Sequence, residues 1–454
     1  MTTEHSTRIM AAALLAVLLL TLSPALATSS PALCGDSDGD GYARAGDALW
    51  ALQAAVGLAQ ACPTSSDCAR LQRADINRSG NIEASDALAT LQAAVGLHDT
   101  LDCAGALQKR ALVATAGCDF ISGGVAEIDL ATRSLVRHLP GLLSGDSVLR
   151  EQDGRVFALN RFAANNAQEL DPAAELTTLW QCSTGPANPH DLVIDARGLA
   201  WISRYDSALL LLADPDVGPT CADFQVDEID LSAWADADGI PEMDQLLLRG
   251  DRLLVLLQLL DRNDLFRPSG PGRLLAIDTV SRTVVASTDL AISNPFAETK
   301  GLLLRPGSGE LLVGGPGLLF SDLDDGGIQA LDPDSLADHG LLITGNELGG
   351  DLVDFVMAGR DRGFALVADA AFTVSLVEFD LALGKVSRVL FSSATLLSDL
   401  ELADDGSLWL ADHDCGGDGL PTPGLLSFSV FTGQPLLNGP LATGLPPFNL
   451  LPLN

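Results

Sequence analysis

Two stretches near the N-terminus have the residue types and the spacing of a calcium-binding loop. Each offers oxygen ligands at positions 1, 3, 5, 7 and 12 of a twelve-residue loop, which is how a hard cation such as Ca²⁺ gathers six to eight oxygens. Position 6 is Gly41 in one stretch and Gly80 in the other, where the absence of a Cβ allows a sharp turn. The predicted ligands are Asp36, Asp38, Asp40, Tyr42 (through its carbonyl) and Asp47 in the first loop, and Asp75, Asn77, Ser79, Asn81 (through its carbonyl) and Asp86 in the second.

A nearly identical sequence follows each loop. Asp47 is followed by ALWALQAAVGL and Asp86 by ALATLQAAVGL, so the sequence predicts two copies of a loop–helix unit. The alternative interpretation is a pair of solvated acidic loops, because Asp, Asn and Gly are ordinary turn residues. Ser79 supplies a neutral oxygen where Asp40 supplies a charged one, and we therefore expect the second loop to bind Ca²⁺ more weakly.

The paired loop–helix units resemble a dockerin, the module that docks onto cohesin domains. The resemblance covers about Cys34 to Cys103. Position 12 is Asp in both loops and, as in dockerins, we expect that no helix enters either loop. It implies a small α-helical module that binds Ca²⁺ through the ligands named above and that binds a cohesin-like protein. Positions 10 and 11, which are often polar pairs in the family, are Ala45-Gly46 and Ala84-Ser85, so another protein partner is an alternative.

Residues 1–27 have the pattern of a secretory signal peptide. Arg8 precedes an apolar run from Ile9 to Leu22, and Ala25-Leu26-Ala27 is a cleavage signal. An uncleaved anchor is the alternative, although the run is short for a membrane span. No later segment has the pattern of a transmembrane helix. We therefore expect a secreted or cell-surface protein without a membrane span after signal cleavage.

The eight cysteines are expected to form disulfides, because an exported chain meets an oxidising environment. Four of them flank the loop–helix units, and the preferred pairs are Cys62–Cys68 across the linker and Cys34–Cys103 at the ends of the module. The sequence leaves this connectivity open, since four cysteines allow three pairings. A zinc site is the alternative, but it would need tighter ligand spacing.

The formal net charge of the chain is −34. A surface this acidic repels nucleic acid and anionic membranes, so we expect no nucleic-acid partner. The charge favours solubility and attracts cations, but it does not indicate the fold.

Residues 106–454 consist of apolar runs of strand length separated by turn residues. Two patterns recur: a tight polar turn before an apolar strand, and an apolar residue followed by Asp at the end of a strand. The turns are Asp153-Gly154, Arg197-Gly198, Gly250-Asp251, Ser308-Gly309, Arg362-Gly363 and Asp405-Gly406, and the Asp positions are Asp129, Asp171, Asp214, Asp278, Asp332 and Asp380.

A repeat of about 40–55 residues with four strands per unit is typical of a β-propeller. We predict a mainly β fold with about seven blades, preceded by the small α-helical module. Six or eight blades are alternatives, because the interval from Asp214 to Asp278 is long and contains an acidic insertion, Asp227 to Asp244. A β-sandwich assembly is the alternative fold.

The first repeat unit lacks its innermost strand, and we predict that residues 446–453 supply it. Pairing the end of the chain with its beginning closes the ring and removes exposed sheet edges. Cys118 and Cys415 follow equivalent strands of the first and last blades, so closure predicts a Cys118–Cys415 disulfide. Cys182 and Cys221 are then expected to pair between the second and third blades.

The run from Asn188 to Asp195, followed by Arg197-Gly198 and Trp201, is similar to the repeats of NHL, YVTN and streptogramin-lyase-like propellers. This resemblance implies a propeller and leaves its ligand unknown. His190, Asp191 and His413 are the candidate catalytic residues, because a His beside carboxylates can act as a general base or a metal ligand. The alternative is that His190 caps a strand or fills the channel mouth and that His413 is a loop residue. The sequence contains no nucleophile elbow, zinc-protease motif or P-loop.

These patterns favour an exported calcium-binding protein in which a dockerin-like module, residues 28–105, attaches or supports a propeller, residues 106–454, that presents a binding surface. The alternative function is a hydrolase or lyase acting on a lactone, a cyclic peptide or a polysaccharide, with the module as its anchor. In a third interpretation the module is an internal clamp for the propeller and has no partner.

Overall fold

The computed structural model describes residues 33–58, 65–77, 79, 81–101, 110–216, 218, 220–296, 301–394, 396–415 and 423–453, and for residues 65–69 it describes the backbone alone. The predicted signal peptide, residues 1–27, lies outside these ranges. We refer to residues 33–101 as the N-terminal segment.

The N-terminal segment contains three α-helices, α1 (Ala45–Ala55), α2 (Ser65–Ala74) and α3 (Ala84–Ala94). The same interaction defines the start of α1 and of α3. Asp47 accepts a hydrogen bond from the backbone N–H of Arg44 (2.9 Å), and Asp86 accepts one from that of Glu83 (2.7 Å). An acidic side chain at this position satisfies an N–H that the helix leaves unpaired and interacts favourably with the helix dipole. The helix α2 ends at Ala74, directly before Asp75, so the expectation that no helix enters the second loop is wrong. The helices alone do not establish a dockerin-like module, which stays a prediction.

Seven antiparallel sheets of three or four strands and one two-stranded hairpin make up the rest of the described chain. In chain order the strands are β1 (Arg110–Ala116), β2 (Ser122–Asp129), β3 (Ser134–Ser144), β4 (Ser147–Gln152), β5 (Arg155–Asn160), β6 (Asn166–Asp171), β7 (Thr177–Ser183), β8 (Pro189–Ile194), β9 (Ala200–Arg204), β10 (Leu209–Ala213), β11 (Gln225–Asp230), β12 (Met243–Arg249), β13 (Arg252–Leu257), β14 (Leu260–Asp261), β15 (Arg267–Pro268), β16 (Pro271–Asp278) and β17 (Thr283–Ser293).

The remaining strands are β18 (Leu302–Leu304), β19 (Leu311–Gly315), β20 (Gly327–Leu331), β21 (Asp338–Thr344), β22 (Asp351–Met357), β23 (Arg362–Ala368), β24 (Val374–Asp380), β25 (Lys385–Ser393), β26 (Leu397–Leu402), β27 (Ser407–Asp412), β28 (Gly424–Ser429) and β29 (Pro447–Leu453), with the short helix α4 (Gly345–Leu348) between β21 and β22. Blade 1 is β29-β1-β2-β3, blade 2 is β4 to β7, blade 3 is β8 to β11, blade 4 is β12-β13-β16-β17, blade 5 is β18 to β21, blade 6 is β22 to β25 and blade 7 is β26 to β28.

The seven sheets form a ring. From blade 1 to blade 5, the innermost strands contact one another in the order β29, β4, β8, β12 and β18. Blade 5 contacts blade 6 through β19 and β22, and the innermost strands β22, β26 and β29 then lead back to blade 1. The structure is therefore a seven-bladed β-propeller, as predicted. None of the described helices is both long and apolar enough to span a membrane.

Apolar side chains fill the space between neighbouring blades. Trp201 of β9, which is fully buried, packs with Leu253 and Val255 of β13 in the next blade. A strand in the middle of a blade is covered on both faces, so its sequence is a continuous apolar run, and β23 is buried at every position. This explains why such strands appear in the sequence as short apolar segments.

The C-terminal strand closes the ring. β29 pairs antiparallel with β1, with Arg110 opposite Leu453 and Ala114 opposite Asn449, which confirms the predicted closure. Polar side chains on the inner strands also join successive blades, each accepting a hydrogen bond from a backbone N–H of the next inner strand. These pairs are Asp191 with Leu246, Gln245 with Leu302, Asp354 with Leu400, Asp399 with Leu450 and Asn449 with Leu149.

Two disulfides connect neighbouring blades in the predicted way. Cys118 in blade 1 is bonded to Cys415 in blade 7, and Cys182 in blade 2 is bonded to Cys221 in blade 3. Cys34 is also disulfide-bonded. The predicted pairs Cys34–Cys103 and Cys62–Cys68 involve Cys62, Cys103 and the side chain of Cys68, which lie outside the described residues, so these pairings stay predictions.

One of the predicted turns is wrong. Arg362 and Gly363 lie within β23, and a Cβ on Gly363 would lie 2.2 Å from Phe379 Cζ. Gly363 is therefore required by close packing and not by a turn, which instead occupies residues 358–361 between β22 and β23. The long interval from Asp214 to Asp278 contains the hairpin β14–β15, inserted in blade 4, and its described residues form no additional blade.

Candidate functional site

The first predicted calcium loop brings three acidic side chains together. Carboxylate oxygens of Asp36, Asp38 and Asp40 all lie within 4.8 Å of one another. Asp36 is buried, and its Oδ1 accepts a hydrogen bond from the Gly39 N–H (2.7 Å) while its Oδ2 accepts one from the Gly41 N–H (2.7 Å). These backbone contacts fix the turn of the loop around the Asp36 carboxylate.

The electrostatics of the first loop suit a bound cation. Burial raises the pKa of Asp36 to about 7, and the neighbouring Asp40 and Asp47 charges act in the same direction. Burial also raises the pKa of Asp40. Three oxygen donors at this spacing fit Ca²⁺, which would be held by Asp36, Asp38 and Asp40 and would offset their mutual repulsion.

Asp47 is placed differently from the other predicted ligands. Its Oδ1 accepts hydrogen bonds from the Ser37 N–H (3.0 Å) and hydroxyl (2.8 Å), and its Oδ2 accepts the Arg44 N–H (2.9 Å). Two cations lie close to the Tyr42 ring, with Arg44 Cζ and Arg362 Cζ each 4.0 Å from its centroid. Asp47 thus joins the loop to α1, and Tyr42 joins it to the propeller.

The second predicted loop has a similar backbone but fewer charges. The Ser79 N–H donates to Asp75 Oδ1 (3.1 Å) and to Asn77 Oδ1 (2.9 Å), and the Asn77 N–H donates to Asp86 Oδ1 (3.2 Å). Asn81 also belongs to this loop, and its N–H donates to Ser79 Oγ (3.3 Å). Residues 78 and 80 lie outside the described ranges. Within the described residues, the one group of three or more close acidic, His or Cys side chains is in the first loop.

The first loop contacts the propeller directly through Arg362 of β23. The Arg362 guanidinium donates to the Gly41 carbonyl (2.6 Å), to the Val430 carbonyl (2.6 Å) and to Glu378 (2.9 Å). The backbones also approach closely, since a Cβ on Gly359 would lie 2.2 Å from the Gly41 nitrogen. A buried arginine therefore connects the loop to blades 6 and 7.

Other contacts of the N-terminal segment lie at the same end of the propeller. The Cys34 N–H donates to the Asp404 carbonyl (3.3 Å) and the Leu101 N–H to the Asp405 carbonyl (3.1 Å). Leu33 packs into the apolar core of blades 6 and 7. Asp404 and Asp405 lie in the loop that joins the first strand of blade 7 to the second.

His190 lies at the opposite end of the channel, at the start of β8. Its Nδ1 is 3.1 Å from Asp244 Oδ1, and its ring stacks on that of Tyr205 with centroids 4.6 Å apart. The His190 side chain is 10% exposed. This geometry can orient an imidazole for acid–base chemistry.

Asp191 has a structural role. Its carboxylate accepts hydrogen bonds from Arg150 Nε (2.6 Å), the Leu192 N–H (2.9 Å) and the Leu246 N–H (2.8 Å). The residue is buried. Asp191 joins blades 2, 3 and 4 and does not form a pair with His190.

His413 is buried among aromatic rings. Its Nδ1 is 3.2 Å from the Pro447 carbonyl, it stacks on Phe120 at 5.1 Å, and it meets the edge of Phe448 at 5.8 Å. Burial lowers the pKa of His413, so it stays neutral at pH 7. It lies far along the ring from His190, in blade 7, and the structure does not bring the two histidines into one site.

The residues that complete the surroundings of His190 were missed in the sequence. They are Tyr205, Glu242, Asp244 and Arg262, which come from separate loops and strands of blades 3 and 4. Only the acidic insertion from Asp227 to Asp244 pointed to this region. Arg262 lies in the hairpin inserted in blade 4, and no repeat pattern marks it.

No protein-family model matches the sequence, and no curated protein matches it either. Solved structures share the fold. A 6-phosphogluconolactonase candidate from Bacteroides fragilis gives a TM-score of 0.52 at 14% identity over 76% of this chain and 97% of that one. Another from Bacteroides uniformis gives 0.53 at 12% identity over 76% and 99%, and a Lactobacillus plantarum protein gives 0.53 at 12% over 76% and 100%. At these identities the similarity shows the fold alone.

Proposed function

We propose that this is an exported protein whose N-terminal segment is a calcium-stabilised support for the propeller and also attaches it to a protein partner. The observation that supports the proposal is the position of Arg362. One buried guanidinium donates to the Gly41 carbonyl in the calcium loop and to the Val430 carbonyl in blade 7, at 2.6 Å each. The order of the loop and the packing of blades 6 and 7 therefore depend on the same side chain.

Calcium should stabilise the whole chain through this connection. A ligand that binds only the folded state adds RT ln(1 + [L]/Kd) to the free energy of unfolding, or about 2.7 kcal/mol at a hundred times Kd. Because the loop contacts the propeller, we expect the gain to extend to the propeller's unfolding transition.

Scanning calorimetry of the full chain, first in EGTA and then in excess CaCl₂, tests this proposal. Tm should rise with Ca²⁺ in the wild type and stay unchanged in Asp36→Asn/Asp38→Asn. The matched control is Asp322→Asn/Asp324→Asn, which removes two carboxylates from an exposed turn of blade 5 and should keep the response. A wild-type Tm that does not change with Ca²⁺ would contradict the proposal that the N-terminal segment is a calcium-stabilised support.

The N-terminal segment also presents a duplicated apolar surface that suits a protein partner. Leu49, Leu52 and Val56 on α1 or just after it correspond to Leu88, Leu91 and Val95 on α3 or just after it, and all six are between 41% and 63% exposed. Contiguous exposed apolar side chains mark interaction sites. The occupant we propose is a cohesin-like domain with an apolar face, because the loop–helix units resemble a dockerin.

Capture on an immobilised cohesin domain, with and without EGTA, tests the partner. We expect calcium-dependent capture of the full chain and its loss in Leu49→Asp/Leu88→Asp. Leu265→Asp, at an exposed position of blade 4, is the control that should still be captured. No capture, or capture that the double variant retains, would rule out this surface as a cohesin-binding site.

A hydrolase is the second candidate function, and the His190–Asp244 pair is the observation that favours it. Two of the similar structures are named as 6-phosphogluconolactonase candidates. At such low sequence identity the substrate of those proteins cannot be assigned to this chain, so the second candidate function rests on the residues at the channel mouth.

A further inference from the structure

The end of the channel opposite the N-terminal segment contains a cluster of polar and aromatic residues in blades 3 and 4. Four residues of this region have a backbone conformation that is strained for a residue with a Cβ. Glu242, Leu259, Leu265 and Phe266 have φ values of 44°, 58°, 56° and 58°, in the left-handed region that residues with a Cβ rarely adopt. Such strain persists only where the surroundings enforce it, and it is enriched at functional sites.

The inserted hairpin places Arg262 at the centre of this cluster. Arg262 Cζ lies 5.4 Å from the ring centroids of both Tyr205 and Phe266. Its guanidinium donates to Glu242 (2.7 Å), Asp206 (2.7 Å) and the Tyr205 carbonyl (3.0 Å). Arg262 therefore fixes the loop that carries Tyr205, and its charge is shared between two carboxylates.

Tyr205 and Asp244 in turn orient His190. Asp244 is buried and also accepts a hydrogen bond from Gln258 Nε2 (3.2 Å), so its carboxylate is held in place opposite His190 Nδ1. With Nδ1–H donating to Asp244, the neutral imidazole has its lone pair on Nε2. Among the described residues, Nε2 has no hydrogen-bond partner, and the ring is partly open to solvent.

We propose that His190 is the general base of an ester-hydrolysing site at this end of the channel, with Asp244 as its positioning residue, acting on uncharged or cationic esters and lactones. The proposal rests on the hydrolase alternative and is independent of calcium. His190 Nε2 accepts a proton from water while the water oxygen attacks the carbonyl carbon. The acyl C–O bond then breaks, and the proton on Nε2 passes to the leaving alkoxide. The sum is addition of water across the ester, with no redox partner.

Tyr205 supplies the hydrogen-bond donor that the reaction needs. Burial and the nearby Glu242 and Asp244 charges raise the pKa of Tyr205, so its hydroxyl keeps its proton at neutral pH. Among the described residues this hydroxyl makes no hydrogen bond, which leaves it free to donate to the oxyanion of the tetrahedral intermediate.

The charge of the cluster sets the substrate class. Asp206, Asp238, Glu242 and Asp244 are acidic, whereas Arg262 is the cation among them and is already paired with Glu242 and Asp206. A phosphate or carboxylate group on the substrate would meet net negative charge without a free cation to bind it. The site therefore excludes anionic esters.

Hydrolysis by the full chain of 4-nitrophenyl acetate and of δ-valerolactone, the latter followed by proton release, tests the site. We expect kcat to fall about 100-fold or more in His190→Ala and in His190→Gln, which is the range of general-base catalysis. Asp244→Asn should lower kcat about 10-fold or more and leave KM nearly unchanged. 4-Nitrophenyl hemisuccinate, which has the same leaving group and an anionic acyl chain, should be turned over at least 10-fold more slowly than the acetate.

The matched control is His339→Ala, which removes an exposed histidine of blade 5 that pairs with Glu310 and should leave turnover unchanged. Melting curves establish that each variant folds. Absence of wild-type turnover, turnover that both folded His190 variants retain, or preference for the hemisuccinate would each overturn the proposal. Because turnover should persist in EGTA below Tm, failure of the calcium-dependent support would leave this result intact.

Discussion

Each end of the propeller contains a pair of oppositely charged side chains of which at least one is buried. Arg362 is 3% exposed and Glu378 is 5% exposed, so each needs the other, because an unpaired buried charge is strongly unfavourable. Glu242 is fully buried and pairs with Arg262, yet desolvation outweighs this pairing and raises the pKa of Glu242 to about 7. Arg362 connects the N-terminal segment to the propeller, and Glu242 binds Arg262, which also contacts Tyr205 beside His190.

Replacing Arg362 should destabilise the protein much more than replacing a partly exposed arginine. Arg362→Ala removes three hydrogen bonds, but Glu378 keeps its contact with Arg388 (2.5 Å). We therefore expect the free energy of unfolding to fall by about 3 kcal/mol. Arg273→Ala, which breaks a partly exposed pair with Asp289 and a hydrogen bond to the Trp234 carbonyl (3.2 Å), should lower the free energy of unfolding by less than about 1 kcal/mol. Urea denaturation in saturating Ca²⁺ measures both, and equal losses would mean that Arg362 does not connect the two parts.

Glu242 should make stability depend on pH. Its pKa in the folded state, about 7, lies above the ordinary value of 4.5, so the folded state binds more protons between these values and stability falls as pH rises from about 4.5 to 7. In Glu242→Gln this contribution, on the order of 2–3 kcal/mol, should be absent, while exposed Glu175→Gln should behave as the wild type. Melting temperatures at pH 5 and pH 8 in saturating Ca²⁺ measure the difference. The same pH dependence in wild type and Glu242→Gln would refute this assignment.

The spacing of residues in the sequence determined which site residues could be predicted. Asp36, Asp38 and Asp40 lie in one short loop, so local spacing alone places them together. His190 and Asp244 lie on the inner strands of consecutive blades, and their contact depends on the ring geometry. Arg262 comes from an insertion that interrupts the repeat, so no periodic signal could point to it.

Repeated elements were predictable because they repeat a hydrogen-bonding pattern. Asp129, Asp278 and Asp332 each accept a hydrogen bond from the backbone N–H three residues ahead, at 2.7 Å in all three cases. This side-chain turn begins the outer hairpin of a blade, and only a short acceptor at that position can form it. Gly363 shows the limit of this reasoning, since its glycine serves close packing with Phe379 and not a turn.

The two disulfides between blades should differ in their effect on stability. Cys118 and Cys415 are 297 residues apart, and Cys182 and Cys221 are 39 apart. In the chain-entropy description the longer loop stabilises more, by about 2 kcal/mol. Guanidinium denaturation of Cys118→Ala/Cys415→Ala and of Cys182→Ala/Cys221→Ala, each compared with wild type, measures this difference. A larger loss for the second pair would show that native contacts, and not loop entropy, dominate.

At the scale of the whole molecule, the N-terminal segment and the two candidate histidines lie at opposite ends of the propeller. The N-terminal segment lies against loops of blades 6 and 7, whereas His190 and His413 lie at the opposite end, in blades 3 and 7. The ring itself is completed by β29, whose Asn449 donates to Asp399 of blade 7 (3.1 Å) and accepts from the Leu149 N–H of blade 2 (2.7 Å). The C-terminal strand thus connects blades 7, 1 and 2.

Removal of residues 446–454 should open the ring. The edge of β1 would lose its partner, and an unpaired edge promotes association between chains, so we expect dimers or larger species in light scattering and rapid amide exchange at residues 110–116. Asn449→Ala keeps the strand and loses only its side-chain bonds, so it should remain monomeric with a stability loss of about 2 kcal/mol. Slow exchange at residues 110–116 in a monomeric truncated chain would contradict this prediction. It would show that blade 1 is stable without β29 and that the propeller does not need the closure to fold.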